Sequence, residues 1–242
     1  MEIFHGISAG SGRVYGKISV YRRECEKLIT KTITDIESEQ SRFKLARYIA
    51  VKELSVLYER AYAELDEAAA MIFYIHQLML DDDTFTESVC SIISQKRVNA
   101  EAAVSETADI LAAVFTGMSD GYMRARRADV RDICERVIAI LQSASQPYPQ
   151  LTSPSIVAAE ELSPSEILLA EKGMIIGLIL TNGAPDSHAS ILAKKMHIPA
   201  LCCVDCGGNT LINGKNALID ADNGALYLEP DSETVSKLIK HE

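Results

Sequence analysis

The chain has 242 residues, enough for one large domain or two small ones with a sizeable core. Its 48% hydrophobic and 24% charged residues are ordinary for a soluble globular protein, and no apolar run approaches the length a bilayer needs. A net charge of −10 argues against nucleic acid as the main ligand and suits a partner with a basic docking face.

The opening MEIFHGISAG lacks the basic flank and apolar core of a signal peptide, so a cytoplasmic location is expected. Glycines 6, 10, 12 and 16 punctuate this region, and GKISVY is predicted as a strand. The GSG it contains is no phosphate loop, because neither the Gly-Lys-Ser/Thr ending nor a helical period follows.

From about residue 32 the period becomes helical. Ile36, Phe43, Ala46, Ala50, Leu54, Leu57, Ala61, Leu65, Ala68 and Ile72 form one apolar stripe, on a long helix or two abutting ones. Thr34 with Glu37 fits a capping box at its start. A shorter helix is predicted after the acidic turn Asp81–Asp83. Another is predicted after Asn99 as cap, and a last one after the break between Gly117 and Gly121. Residues 32–144 therefore read as an antiparallel helical bundle.

The segment SASQPYPQLTSPS cannot continue a helix and closes the bundle. Strand patterns then return in SIVAAE, GMIIGLIL, PALCCV, NALIDA and ALYLEP, alternating with helical SPSEILLAEK and SHASILAKKM. Asn223-Gly224 predicts a type I′ hairpin turn. The economical arrangement is one α/β domain with the helical block inserted in it. The expected boundaries are 1–24 with 147–232 for the α/β part and 25–146 for the helical part. Residues 233–242 would begin a linker.

Six cysteines are present: Cys25, Cys90, Cys134, Cys202, Cys203 and Cys206. Cys203 and Cys206 form a C-x-x-C without a second ligand pair at zinc spacing. They are expected to be reduced packing residues, and no metal is assigned.

One of the five histidines, His188, stands at a structural junction. Gly183 and Pro185 precede it, and a helical run to about Met196 follows, with Asp186 or Ser187 as N-cap. Lys194 and Lys195 fall in the last turn, and Pro199 ends the helix. A helix start gathers unpaired N–H groups and positive potential, which suits an anion and keeps an imidazole neutral. His188 can thus be a structural histidine, a metal ligand or a nucleophile that accepts a phosphoryl group.

The segment HASILAKKMHIPAL resembles the phosphohistidine segment of the phosphoenolpyruvate-utilising enzymes. The order of parts resembles the enzyme I branch of the sugar phosphotransferase system. GISAGSGRVYGK is similar to the opening of that branch. ADVRDI (residues 128–133) and FYIHQLMLDDD (73–83) are similar to its helical subdomain, and ELSPSE (161–166) to a segment before the histidine. The resemblance implies an α/β phosphohistidine domain of the swivelling β/β/α kind with an inserted all-α bundle.

It implies His188 as the catalytic nucleophile, acting through Nε2, with Ser187, Ser190 and Lys194 as support for phosphate and imidazole. It implies the small carrier protein HPr as partner, with His76, Met79, Asp82, Arg126 and Arg131 as candidate contacts, while His76, and Arg131 with Asp132, read equally as structural ion pairs. Phosphoenolpyruvate and Mg2+ would be handled only by a further C-terminal barrel, of which this chain would be the monomeric N-terminal neighbour. No cofactor is expected here. The chain departs from the family pattern at Ala184, Asp186, Ile167 and Lys194. Two alternatives stand: the swivelling domain of a dikinase or synthase relative, and a regulatory module that binds HPr without transfer.

Overall fold

The computed structural model describes residues 1–23, 28–116, 121–143, 148–206 and 212–239, with no side-chain description at 115, 116 and 121–126. The chain divides into two compact units: Met1–Arg23 with Pro147–Glu242, and Glu24–Gln146.

The first unit is α/β. Its strands are β1 (Glu2–His5), β2 (Ile7–Ser8), β3 (Arg13–Val20), β4 (Ser155–Ala159), β5 (Ile175–Leu180), β6 (Ala200–Cys202), β7 (Asn216–Asp220) and β8 (Ala225–Leu228). They form one sheet in the order β1-β8-β7-β3-β4-β5-β6-β2. β3, β4, β5 and β6 run parallel, whereas β7, β8, β1 and β2 pair antiparallel. Every residue of β4 is buried, as expected for a parallel strand covered on both faces. Ile18, Ile156, Ile179, Leu201, Ile219 and Leu226 pack on one side of the sheet.

β1 and β2 lie at opposite edges of the sheet yet are joined by the single residue Gly6. The chain must therefore run tight at this seam. A Cβ on Gly6 would stand 2.5 Å from Val204 Cγ2 and 2.8 Å from the Cys202 carbonyl oxygen. Gly10 is equally constrained, 2.4 Å from the carbonyl oxygen of Ile198. Gly6 and Gly10 thus serve close backbone approach.

The β7–β8 connection is a four-residue loop, Ala221–Gly224, because Asp220 pairs with Ala225. Gly224 has φ +66, but Asn223 does not adopt a positive φ, so the turn is not type I′. Asp220 is the cause: its carboxylate accepts from Asn223 N at 3.2 Å and Asn223 Nδ2 at 2.9 Å. Three helices complete the unit: α6 (Pro164–Leu169), α7 (His188–Lys195) and α8 (Ser232–Ile239). Residues 233–239, expected to open a linker, are helical in α8, and Arg13 Nη1 donates to the Leu238 carbonyl at 3.5 Å.

The second unit is a bundle of α1 (Ile36–Glu64), α2 (Glu67–Asp81), α3 (Asp83–Lys96), α4 (Ala100–Thr116) and α5 (Gly121–Leu141). Phe43, Ala46, Ala50, Leu54, Leu57 and Ala61 are the buried stripe of α1. The stripe does not run on into α2. Asp66 starts a new helix by accepting from Ala69 N at 2.9 Å, and the buried set becomes Ala69, Ala70, Ile72 and Phe73. Ala68 is left exposed.

Capping also differs from the expected pattern. Asp35, not Thr34, caps α1, accepting from Ser38 N at 2.9 Å. Asn99 does precede α4, but its side chain accepts from Lys31 N, and Glu39 of α1 receives the Ala100 N–H at 2.6 Å. Arg42 binds Glu39, Glu101 and the Leu141 carbonyl, so one guanidinium ties α1 to the start of α4 and the end of α5. The break between Gly117 and Gly121 lies largely outside the described residues, as does Cys25.

Candidate active site

Two crossovers, β4–α6–β5 and β5–α7–β6, bring the starts of α6 and α7 to the carboxyl ends of the parallel strands. Ligands of open α/β sheets bind at that edge. The chain leaves β5 by bonding to its neighbour: Thr181 N donates to the Ala159 carbonyl and Asn182 N to the Glu160 carbonyl. Gly183 then turns with φ +107.

His188 is the first residue of α7 and is half-buried. Ser187 is the N-cap, its Oγ accepting from Ser190 N at 3.2 Å. Asp186, the alternative cap, is exposed and is not used so. The loop is fastened at three further points. Ser190 Oγ donates to the Ala184 carbonyl at 2.7 Å, and Lys194 Nζ to the Pro185 carbonyl at 3.0 Å. Cys203 Sγ donates to the Gly183 carbonyl at 3.4 Å.

The far end of α7 is also fixed. Ile198 N donates to the Ala193 carbonyl, His197 N donates to that of Lys194, and His197 has φ +55. This pair of bonds is a Schellman motif with histidine at the left-handed position. It turns the chain into Pro199 and β6, and accounts for MHIPAL.

Beside it, α6 begins with a complete capping box. Ser163 Oγ accepts from Glu166 N, and Glu166 Oε2 accepts from Ser163 N at 2.7 Å. Glu166 is 2% exposed, yet it also accepts from Tyr21 Oη at 2.6 Å and from Arg23 Nε at 2.8 Å. Burial, followed by the Glu166 charge and hydrogen bond, pushes the Tyr21 phenol well above its ordinary range. Ile167 is wholly buried in the core.

Of the candidate docking residues, Met79 is half-buried, and Asp82 and Arg131 are exposed. Asp82 separates α2 from α3 and caps α3, accepting from Thr84 N at 2.7 Å. Hydrogen bonds from the Thr84 side chain and backbone hold its carboxyl below the usual range. The side chain of Arg126 lies outside the described residues.

His76 fits the reading of a structural ion pair rather than that of a surface contact. Its ring has no exposed surface. Nε2 is 3.3 Å from Asp129 Oδ1 and Nδ1 is 3.4 Å from Asp132 Oδ2. It packs edge-on to Phe73. Asp132 thus faces His76, so the helical motif ADVRDI contributes both carboxylates to one imidazole. Carboxylates at i and i+3 share a helix face, a sequence signal that could have found this pairing.

The fold agrees with the comparisons to known proteins. The family model described as "PEP-utilising enzyme, N-terminal" matches residues 5–126, and that described as "PEP-utilising enzyme, mobile domain" matches residues 151–224. The chain belongs to the phosphoenolpyruvate-utilising enzyme family.

Among curated relatives, a phosphoenolpyruvate-protein phosphotransferase of Bacillus subtilis (strain 168) is 34% identical over 240 residues. The match covers 98% of this chain and 42% of that protein. One of Lactococcus lactis subsp. lactis (strain IL1403) is 31% identical over 237 residues, covering 97% of this chain and 41% of that protein. The chain thus spans about two-fifths of the length of these relatives. The solution structure of an Enzyme I protein aligns with TM-score 0.74 at 27% identity, covering 98% of this chain and 97% of that one. The "N-terminal domain of Enzyme 1 - Nitrogen" shares the fold, with TM-score 0.63 at 21% identity.

Proposed function

We propose that this chain carries phosphoryl groups on His188 as part of a phosphoenolpyruvate-protein phosphotransferase, exchanging them with the carrier HPr. The observation that carries the reading is the placement of His188: first residue of α7, behind a loop fastened at Ala184, Pro185 and Gly183. The names of the curated relatives support it.

In the proposed step the Nε2 lone pair attacks the phosphorus of a phosphorylated carrier histidine. A P–N bond forms at His188 as the donor's P–N bond breaks, and the donor imidazole leaves neutral after taking up a proton. The charge on the phosphoryl oxygens faces the start of α7, where N–H groups lack intrahelical partners. Ser187 and Ser190 hold the loop, and Lys194 adds a cation beside it. The exposed Asp186 leaves the cap to Ser187.

HPr docks on the helical unit in this reading, with Met79, Asp82, Arg126 and Arg131 as contacts. His76 acts by positioning Asp129 and Asp132. Phosphoenolpyruvate and magnesium are assigned to the part of the relatives' length that this chain does not cover.

The test is intact mass after incubation with phosphorylated HPr. The native chain is expected to gain one acid-labile phosphate, and His188→Ala none. A native chain that binds HPr but gains no phosphate would overturn transfer and leave a binding module.

A further inference from the structure

Cys202 and Cys203 are adjacent in sequence but opposite in exposure. Cys202, the last residue of β6, is 0% exposed, whereas Cys203 alone among the described cysteines is exposed. Cys203 has φ +57, a left-handed conformation that side chains rarely adopt, so the chain turns there and the thiol reaches the surface. The two thiols lie within hydrogen-bond reach of each other.

Both lie beside Gly183, in the loop that leads to His188. Cys203 Sγ donates to the Gly183 carbonyl, and a Cβ on Gly183 would stand 3.9 Å from Cys202 Cβ. Of the other described thiols, Cys90 is half-buried and Cys134 and Cys206 are buried; Cys134 is 1% exposed and burial pushes it up to about 12.

We infer that Cys202 and Cys203 form an oxidisable dithiol, a modification site for small hydroperoxides that releases the loop leading to His188. The peroxide oxidises the Cys203 thiol to a sulfenic acid, and its other oxygen departs as water from hydrogen peroxide or as the alcohol from an organic hydroperoxide. The Cys202 sulfur then attacks the sulfenic sulfur. An S–S bond forms, and the hydroxyl leaves as water with the Cys202 proton.

Consecutive Cα atoms are about 3.8 Å apart, short of the roughly 4.4–6.8 Å of ordinary disulfides. The bond is therefore strained and readily reduced, as a reversible modification requires. In the disulfide Cys203 Sγ no longer carries a hydrogen to donate to Gly183, so one of the loop's fastenings is lost. The thiol chemistry stands on this geometry alone, while its consequence for transfer rests on the role proposed for His188.

The experiment treats the native chain with hydrogen peroxide and maps its peptides by mass. It also measures phosphate uptake from phosphorylated HPr before and after treatment. The 202–203 peptide is expected to lose two hydrogens, and dithiothreitol to restore them. Uptake is expected to fall by about tenfold, the scale of a misplaced reactive group, and to recover on reduction. Cys203→Ser and Cys202→Ala are expected to keep their own untreated rates after peroxide.

Two results would overturn the site: an unchanged 202–203 peptide, or Cys203 oxidised while Cys202 stays free. An untreated chain that never takes up phosphate refutes the role of His188 instead, and the peptide masses still decide the thiol chemistry.

Discussion

Ser190 Oγ donates to the carbonyl of Ala184 at 2.7 Å, so the helix that begins with His188 holds the loop that delivers it. Ser190 is 1% exposed and also meets Ser187 Oγ at 3.0 Å. Replacing it by alanine leaves the Ala184 carbonyl without this donor. Ser190→Ala is expected to lower stability by about 1–2 kcal/mol in urea unfolding. Its phosphate uptake should fall more than its HPr binding, whereas Ser190→Thr keeps the hydroxyl and should recover part of the rate. Equal loss in both variants would show that the hydroxyl is idle.

Glu166 receives Tyr21, Arg23 and the Ser163 N–H at one buried carboxylate. Glu166→Ala removes the acceptor shared by Tyr21, Arg23 and the Ser163 N–H and is expected to cost about 3–5 kcal/mol. Tyr21→Phe removes a single neutral donor and should cost about 1 kcal/mol. Chemical denaturation of the two variants measures the difference, and a near-neutral Glu166→Ala would refute the ranking.

The raised Tyr21 phenol has a stability consequence. A group with a folded pKa above its unfolded value contributes stability that is complete below the unfolded pKa and is lost as the pH rises toward the folded one. Stability should therefore fall above about pH 10, the ordinary tyrosine range. Tyr21→Phe should flatten that alkaline limb in denaturation curves taken across it.

Acid should act on one carboxylate in each unit. At Asp220, burial opposes ionisation but hydrogen bonds from Asn223 and Arg13 outweigh it, and its pKa is lowered. At Glu101, burial is likewise outweighed by Arg42 and other donors. Such groups contribute stability above the unfolded carboxylate pKa and lose it as the pH falls through the folded one. Urea midpoints should drop below about pH 4, and Asp220→Asn or Glu101→Gln should shallow that drop.

The seam at Gly6 gives a steric prediction. Gly6→Ala drives a methyl against Val204 Cγ2 and the Cys202 carbonyl, and is expected to destabilise by about 1–3 kcal/mol. Gly214→Ala, where nothing lies within 4 Å, tests the other cost, since φ +77 strains any side chain without a clash. Thermal unfolding should rank Gly6→Ala as the more damaging.

Periodicity and punctuation determined much of this protein. The change from period two to period 3.6 and back announces an α/β fold with a helical insert, because each period reflects which side chains a strand or helix can bury. The start of α7 was equally local: a capping serine, a histidine and an apolar face within a few residues.

Contacts distant in sequence were settled only by the tertiary structure. No glycine or proline marks the break at Asp66, and only its carboxylate meeting Ala69 N makes the helix restart. Asn223-Gly224 reads as a type I′ turn until Asp220 captures Asn223. His76 reads equally as a surface contact or a structural ion pair until Asp129 and Asp132 close on it from another helix. Cys203 reads as half of a C-x-x-C, yet its partner is a carbonyl twenty residues earlier. The sequence by itself therefore determined the elements, since propensity and pattern act within a turn or two of chain. Packing decided the partners of the buried polar groups, since a buried donor or acceptor must find its match wherever the fold brings one within reach.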